Sequence, residues 1–576
     1  MGLAAFGAVA TLALAACGGG STSSTPSTTK AGFNAAVSST VNPSTHKGGT
    51  ITFNLTTWED SMDPGGTYYA SNWNFTRYYA TPLMTYASCV GSCGSKLIPA
   101  LAAKPGVSSN NNTVWTYTIK SGMKFSDGQP ITSADVKYAV MRTFAKEVLP
   151  AGPVYFQTLL AGNAASYKGP YKNKGVDLTS VTTPNSTTVV FHLNKPFADF
   201  NYVAAIPQTA PVPQNKDTGS TYQLHPVSSG PYMVQSATLN KQFVLVPNPN
   251  WNPALDPAVH QLASKIILNI NPNANDIDNR LIAGDIQMDM AGTGVQSAAR
   301  AKILTNTTLK ASSDNPITGF MWFIYINQQV APLNNIHCRM AIEFAANKTT
   351  LQDAYGGPYQ GSVATTAMPP TVIGYSKFDL YNAGSHPSGD TASAKNQLKL
   401  CGQPNGFTTA MAYRSDRPRD TAAAQALQAS LATVGIHLQL KGFPSGTYYS
   451  TFAGVPTYNK THGIGLATGG WGPDWPDAYG WGWALFDGQS IGTAGNTNIG
   501  MLNDPAINKL FLDLESATTS SAQASISGQI DMAVMKQATF LPAVYSKALL
   551  YRSPALTNVM VQPTFGMYNY GTLGTK

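Results

Sequence analysis

The sequence predicts a chain of α/β lobes, and three observations predict it. Apolar runs of strand length alternate with amphipathic helices, which is the order that builds sheets covered by helices. The chain has 576 residues, more than one core holds, so two or three domains are expected. Hydrophobic residues make up 43% and charged residues 11%, a balance that suits a folded body rather than a disordered one.

The first strand is expected in Gly48-Gly49-Thr50-Ile51-Thr52-Phe53-Asn54-Leu55, where side chains alternate, and Asp63-Pro64 breaks the pattern. Val114 to Lys120 and Thr187 to Leu193 read as further strands, separated by a helix that Ser133 caps and that turns Val136, Val140 and Phe144 inward. A second half opens near Ile317. Phe320 to Ile326 is continuously apolar, as a strand buried on both faces would be. One amphipathic helix is expected from Asn335 to Tyr355, stopped by Gly356-Gly357-Pro358. A helix at Thr421 to Val434, a strand at His437 to Lys441 and a helix at Ala522 to Gln537 continue the alternation. No solenoid repeat is visible.

The formal charge of +8 is spread thinly. No block of Lys or Arg tracks phosphates, so no nucleic-acid partner is expected, and weak attraction to an anionic envelope is the plainer meaning.

The N-terminal run from Gly2 to Ala16 is apolar, too short to span a bilayer stably, and ends in Leu14-Ala15-Ala16-Cys17-Gly18. It resembles a bacterial lipoprotein signal peptide, which implies a signal peptide over 1–17 and a lipid on Cys17. No Lys or Arg precedes the run, so the basic segment of such peptides is expected upstream. Residues 18–47, rich in Ser, Thr, Gly, Ala and Pro, are expected as a flexible tether holding the protein on the extracytoplasmic face of the cell membrane.

Four cysteines remain: Cys89, Cys93, Cys338 and Cys401. Outside the cytosol an even set favours disulfides. Cys89 and Cys93 share a small-residue turn suited to a local bridge, with half a zinc site as the rival reading. Cys338 and Cys401 would tie two helices of one lobe, or else stand as buried free thiols.

Catalytic signals are sparse. No Gly-x-Ser-x-Gly, His-Glu-x-x-His or phosphate-cradling glycine loop occurs, and histidines such as His225 and His437 read as structural. One rival remains: a secreted hydrolase using Asp474 and Asp477 as a carboxylate pair.

The segment Trp115-Thr-Tyr-Thr-Ile-Lys-Ser-Gly-Met-Lys-Phe-Ser-Asp-Gly-Gln-Pro-Ile-Thr-Ser-Ala-Asp-Val-Lys-Tyr138 closely resembles the signature of the family 5 bacterial extracellular solute-binding proteins. These include the oligopeptide, dipeptide and nickel receptors of ABC importers. Pro226-Val-Ser-Ser-Gly-Pro-Tyr232, Asn248-Pro-Asn-Trp251, Ile282-Ala-Gly-Asp285, Pro332-Leu-Asn-Asn335 and Trp471-Gly-Pro-Asp-Trp-Pro-Asp477 follow in the family's order.

The resemblance implies the type II periplasmic-binding-protein fold: two lobes with mixed sheets plus an extra N-terminal α+β domain. It places lobe I in 48–76, 205–311 and 546–576, the extra domain in 77–204 and lobe II in 312–545. It implies a monomeric receptor without metal or cofactor that captures a short peptide between the lobes and delivers it to a membrane permease. Within Trp471-Gly-Pro-Asp474 it implies that Asp474 pairs with the ligand's ammonium group. Trp471 would pack on the ligand, and an edge strand at Thr56-Thr57-Trp58, with Gly470 before Trp471, would meet its backbone. An oligosaccharide or a nickel chelate is the alternative solute.

Overall fold

The computed structural model describes residues 31–58 and 61–576. The expected signal peptide, Cys17 and residues 18–30 lie outside them.

Three sheets carry the architecture. The first has five strands in the order Met288–Asp289, Thr50–Leu55, Lys265–Ile270, Gln242–Pro247 and Tyr232–Thr238. Its first three strands run parallel, and the last two form an antiparallel hairpin on them. Thr50–Leu55 therefore lies inside the sheet, and Ile51, Phe53 and Leu55 enter its core.

The second sheet has six strands: Gly361–Val363, Phe540–Lys547, Ile317–Ile326, Ile464–Trp471, Thr408–Arg414 and His437–Phe443. Ile317–Ile326 sits in its interior, paired on both sides with antiparallel neighbours. Period-two alternation splits its side chains between two cores: Met321, Phe323 and Tyr325 enter one, and Trp322, Ile324 and Ile326 enter the other. Burial on both faces is why the run is apolar throughout.

The third sheet is antiparallel, with Val107–Ser109, Val114–Thr118, Thr188–His192 and Val181–Asn185 in that order. The helix Ser133–Arg142 follows the signature loop and buries Val136 and Val140 with Trp115, Tyr117 and Phe191. Its cap is Thr132 rather than Ser133: the Thr132 N–H donates to the Asp135 carboxylate at 2.8 Å, while the Ser133 hydroxyl donates to the Asn185 carbonyl at 2.6 Å. At the far end of this helix Arg142 is wholly buried. It donates to both oxygens of Asp63, at 3.1 and 2.8 Å, and lies 3.2 Å from Asp217. The third sheet is thereby bound to the segment that leaves the first.

Two further expectations are corrected. The span expected as one helix is two, Ile336–Ala345 and Lys348–Ala354, because the Asn347 side chain accepts from the Thr350 N–H and starts a new helix. The expected tether is docked from residue 31 onward: Ala36 and Val41 are buried in the core beneath the first sheet, and Val41 bridges Val559. An apolar side chain every few residues was enough to dock a segment whose composition reads as linker.

Cys89 is joined to Cys93, with Cα atoms 5.7 Å apart, and Cys338 to Cys401, with Cα atoms 5.2 Å apart.

Candidate functional site

The strand Ile464–Trp471 ends where the second sheet meets the other two. Its pairing with Thr408–Arg414 stops at Ala467, so Thr468–Trp471 keeps the Met321–Ile324 stretch as its strand neighbour on one side. Glycine is required at 470, because a Cβ there would come within 2.5 Å of the Trp322 ring.

Asp474 follows in the loop. Its carboxylate accepts hydrogen bonds from the Tyr68 hydroxyl at 2.8 Å and from the Tyr155 hydroxyl. Tyr68 follows the first strand, Tyr155 opens a short helix beside the third sheet, and Asp474 extends the second, so one carboxylate gathers all three parts of the chain. Burial pushes its pKa up, and the two phenol bonds oppose that rise. Among the described residues no Lys or Arg makes an ion pair with Asp474.

Trp475 is buried in an aromatic box. Tyr202 stacks on it at 6.0 Å and 9°, Tyr479 at 6.2 Å and 6°, and Tyr155 and Phe197 close the sides at 5.1 and 6.2 Å. The box joins the second sheet's part of the chain to the third's, so the aromatic cluster near Trp471 to Trp483 is largely spent on packing. Asp477 is buried as the cap of Ala478–Phe486, accepting from the Gly480 N–H at 2.8 Å. Asp477 and Asp199 face each other beside the Trp475 indole; burial raises the pKa of both, and the Asp477 charge raises that of Asp199 as well. Asp474 and Asp477 thus have different partners: two phenol hydroxyls for the first, the backbone of its own helix for the second.

The other expected contacts divide. Trp471 is half-buried beside Asp474, and its indole N–H has no partner among the described residues. Thr57 is exposed, in a bend after the strand has ended at Leu55. Trp58 turns away: it is 4% exposed, donates to Gln223 at 3.1 Å and packs edge-on against Phe243. Being large and apolar beside a core, it was drawn inward, and the expected edge strand there is absent.

Sequence reasoning missed Tyr68 and Tyr155, which carry no local motif. It also missed a cavity of about 480 Å³ between the Thr293–Arg300 stretch and the start of the helix Pro418–Ala432. Arg300 and Arg419 line it from opposite sides, and Arg419 lies over the Trp322 ring at 4.3 Å. A second cavity, of about 1040 Å³, lies between the third sheet and the Pro370–Tyr375 loop, with Trp115, Asp199, Tyr202 and Tyr375 in its wall.

The family model for bacterial extracellular solute-binding proteins, family 5 Middle, matches residues 96–493, more than half of the chain. The chain belongs to this family. The solved structure of "Clavulanic acid biosynthesis oligopeptide binding protein 2" is 38% identical, covers 95% of this chain and 99% of its own, and superposes with a TM-score of 0.90. "Probable D,D-dipeptide-binding periplasmic protein DdpA" of Escherichia coli (strain K12) is 25% identical over 76% of this chain and 77% of its own. The glutathione-binding protein GsiB of Salmonella typhi is 25% identical over 80% and 82%. The family member described here has the type II periplasmic-binding-protein fold and is a solute-binding receptor. Among its described residues no helix is long and apolar enough to cross a membrane.

Proposed function

We propose that this receptor captures short peptides between lobe I (48–76, 205–311 and 546–576) and lobe II (312–545), with the extra domain (77–204) forming part of the wall, and delivers them to the permease of an ABC importer. The observation that carries this reading is the Asp474 carboxylate, set where three parts of the chain meet and held by two hydroxyls rather than by a cation. A peptide ammonium entering there exchanges neutral donors for a charge-assisted pair in a site poor in water.

The cavity lined by Arg300 and Arg419 adds a cationic end to the same boundary, suited to a carboxylate. Gly469–Trp471, one side of which has no strand partner among the described residues, is the backbone to which an extended peptide adds. A zwitterionic, extended ligand fits this arrangement better than a sugar does, since Trp475 and Tyr479 are already stacked on protein rings. The protein acts as a monomer and a receptor rather than a hydrolase, and Cys17 carries the lipid that holds it at the membrane.

Calorimetry with free and N-acetylated peptides on wild type and Asp474→Ala tests the reading. Equal binding of both peptides by the wild type refutes it.

A further inference from the structure

The chain crosses between its two larger sheets twice, and the crossings pair with each other: Ser313–Asp314 with Leu550–Tyr551. A third segment lies across both. The Asn34 N–H donates to the Ser313 carbonyl at 3.0 Å, and the Asn34 side chain accepts from the Asn315 N–H at 2.6 Å. The Ala36 N–H donates to Asp314 Oδ1 at 2.9 Å, and the Gly32 carbonyl accepts from Arg552 at 3.1 Å. Asp314 Oδ2 accepts from Arg552 and, at 2.6 Å, from the Tyr568 hydroxyl. One carboxylate, 0% exposed, thus holds the N-terminal segment, the second crossing and the C-terminal region together.

We propose that residues 32–41 form a hinge clasp that limits how far the lobes open. Lobe opening in a two-lobed receptor turns on backbone rotation at the crossings. Here that rotation must break or carry along hydrogen bonds to a strap that is itself anchored at Val41 by two backbone bonds to Val559, at 2.8 and 3.0 Å. Paired only with each other, two short crossing strands would swing more freely; the strap ties them to the lobe I core, where Ala36 and Val41 are buried. The inference rests on the two-lobed reading above, but not on the nature of the solute.

Two variants of the full chain test it. Asn34 has φ of 65°, so Asn34→Gly keeps the backbone and removes the acceptor for the Asn315 N–H. Ala36 lies in the first turn of its helix, where proline is tolerated, so Ala36→Pro removes the donor to Asp314. Hydrogen exchange of residues 312–316 and 548–552 and small-angle scattering are measured without added solute. The expected result is roughly tenfold faster exchange at both crossings, with a larger radius of gyration. The proposal is overturned if the crossings exchange as in wild type, whether or not residues 32–41 are released. Faster exchange without a larger radius overturns it as well, because the strap would then brace the crossings without setting the opening. Failure of the peptide reading would show in the calorimetry instead.

Discussion

The Tyr68 hydroxyl donates to the Asp474 carboxylate at 2.8 Å, although 406 positions separate the two residues. Tyr68 is 45% exposed, so one of the two donors that hold the carboxylate stands at the solvent edge of the lobe boundary. In the proposed reading an entering ammonium group would displace a bond to a neutral phenol, at little cost beside the ion pair gained.

Replacing Asp474 with Ala is therefore expected to weaken peptide binding by roughly 2–5 kcal/mol, the penalty for stripping one partner from a desolvated charge pair. Acetylating the peptide's N-terminus should cost a similar amount in wild type and little more in the variant, because both changes remove one contact. Trp471→Ala should also weaken binding while leaving the sensitivity to acetylation intact. Isothermal calorimetry over the four combinations of protein and peptide reads the coupling directly.

Arg142 and Asp63 make a buried, bidentate pair between the third sheet's helix and the segment after the first strand. Asp63→Ala leaves the guanidinium with Asp217 as its one carboxylate among the described residues, beside the Tyr171 hydroxyl, and should destabilise the protein by roughly 3–5 kcal/mol. Urea unfolding followed by circular dichroism measures it. A loss below about 1 kcal/mol would mean that Asp217 compensates for the missing carboxylate.

The Asp199–Asp477 pair makes stability depend on pH. Burial pushes Asp477 up to about 6, and Asp199 is raised further, by burial first and then by the Asp477 charge. Both carboxyls hold protons in the folded state at pH values where the unfolded chain has released them. Their contribution is therefore full below pH about 4 and is lost as pH rises through about 6 and beyond. Asp199→Asn supplies a permanent donor to Asp477 in the same shape, so its stability should fall less steeply between pH 5 and 8, two values on either side of about 6. Parallel unfolding curves for the two proteins across that range would remove the Asp199–Asp477 pair from the account.

Anchoring is tested on Cys17. Cys17→Ser should move the protein from the membrane fraction to the soluble one with peptide affinity unchanged, since the proposed lipid holds the protein and is not proposed to meet the solute. Immunoblots of fractionated cells report the first outcome and calorimetry the second. Retention at the membrane would refute the lipid reading.

The sequence by itself determined one or two strands of each of the three sheets and the family, and it singled out Asp474 as a candidate. Period-two alternation in Thr50–Leu55 and Val114–Thr118 is a local signal, the doubly buried run at Phe320 to Ile326 is another, and the signature from Trp115 to Tyr138 is long enough to be specific. Tertiary structure alone decided what surrounds Asp474 and where the lobes join. Tyr68 and Tyr155 reach the carboxylate because distant segments pack together, which no spacing along the chain encodes. Trp58, expected at the cleft, went to the core, because a large ring gains more by leaving water than by lining a wet boundary. Residues 32–41, polar enough to read as linker, became a strap across the crossings because a few buried apolar side chains and backbone bonds sufficed to hold them. Hydrophobic pattern is a property of the segment, whereas a contact is a property of two segments, and folding alone brings the second segment into place.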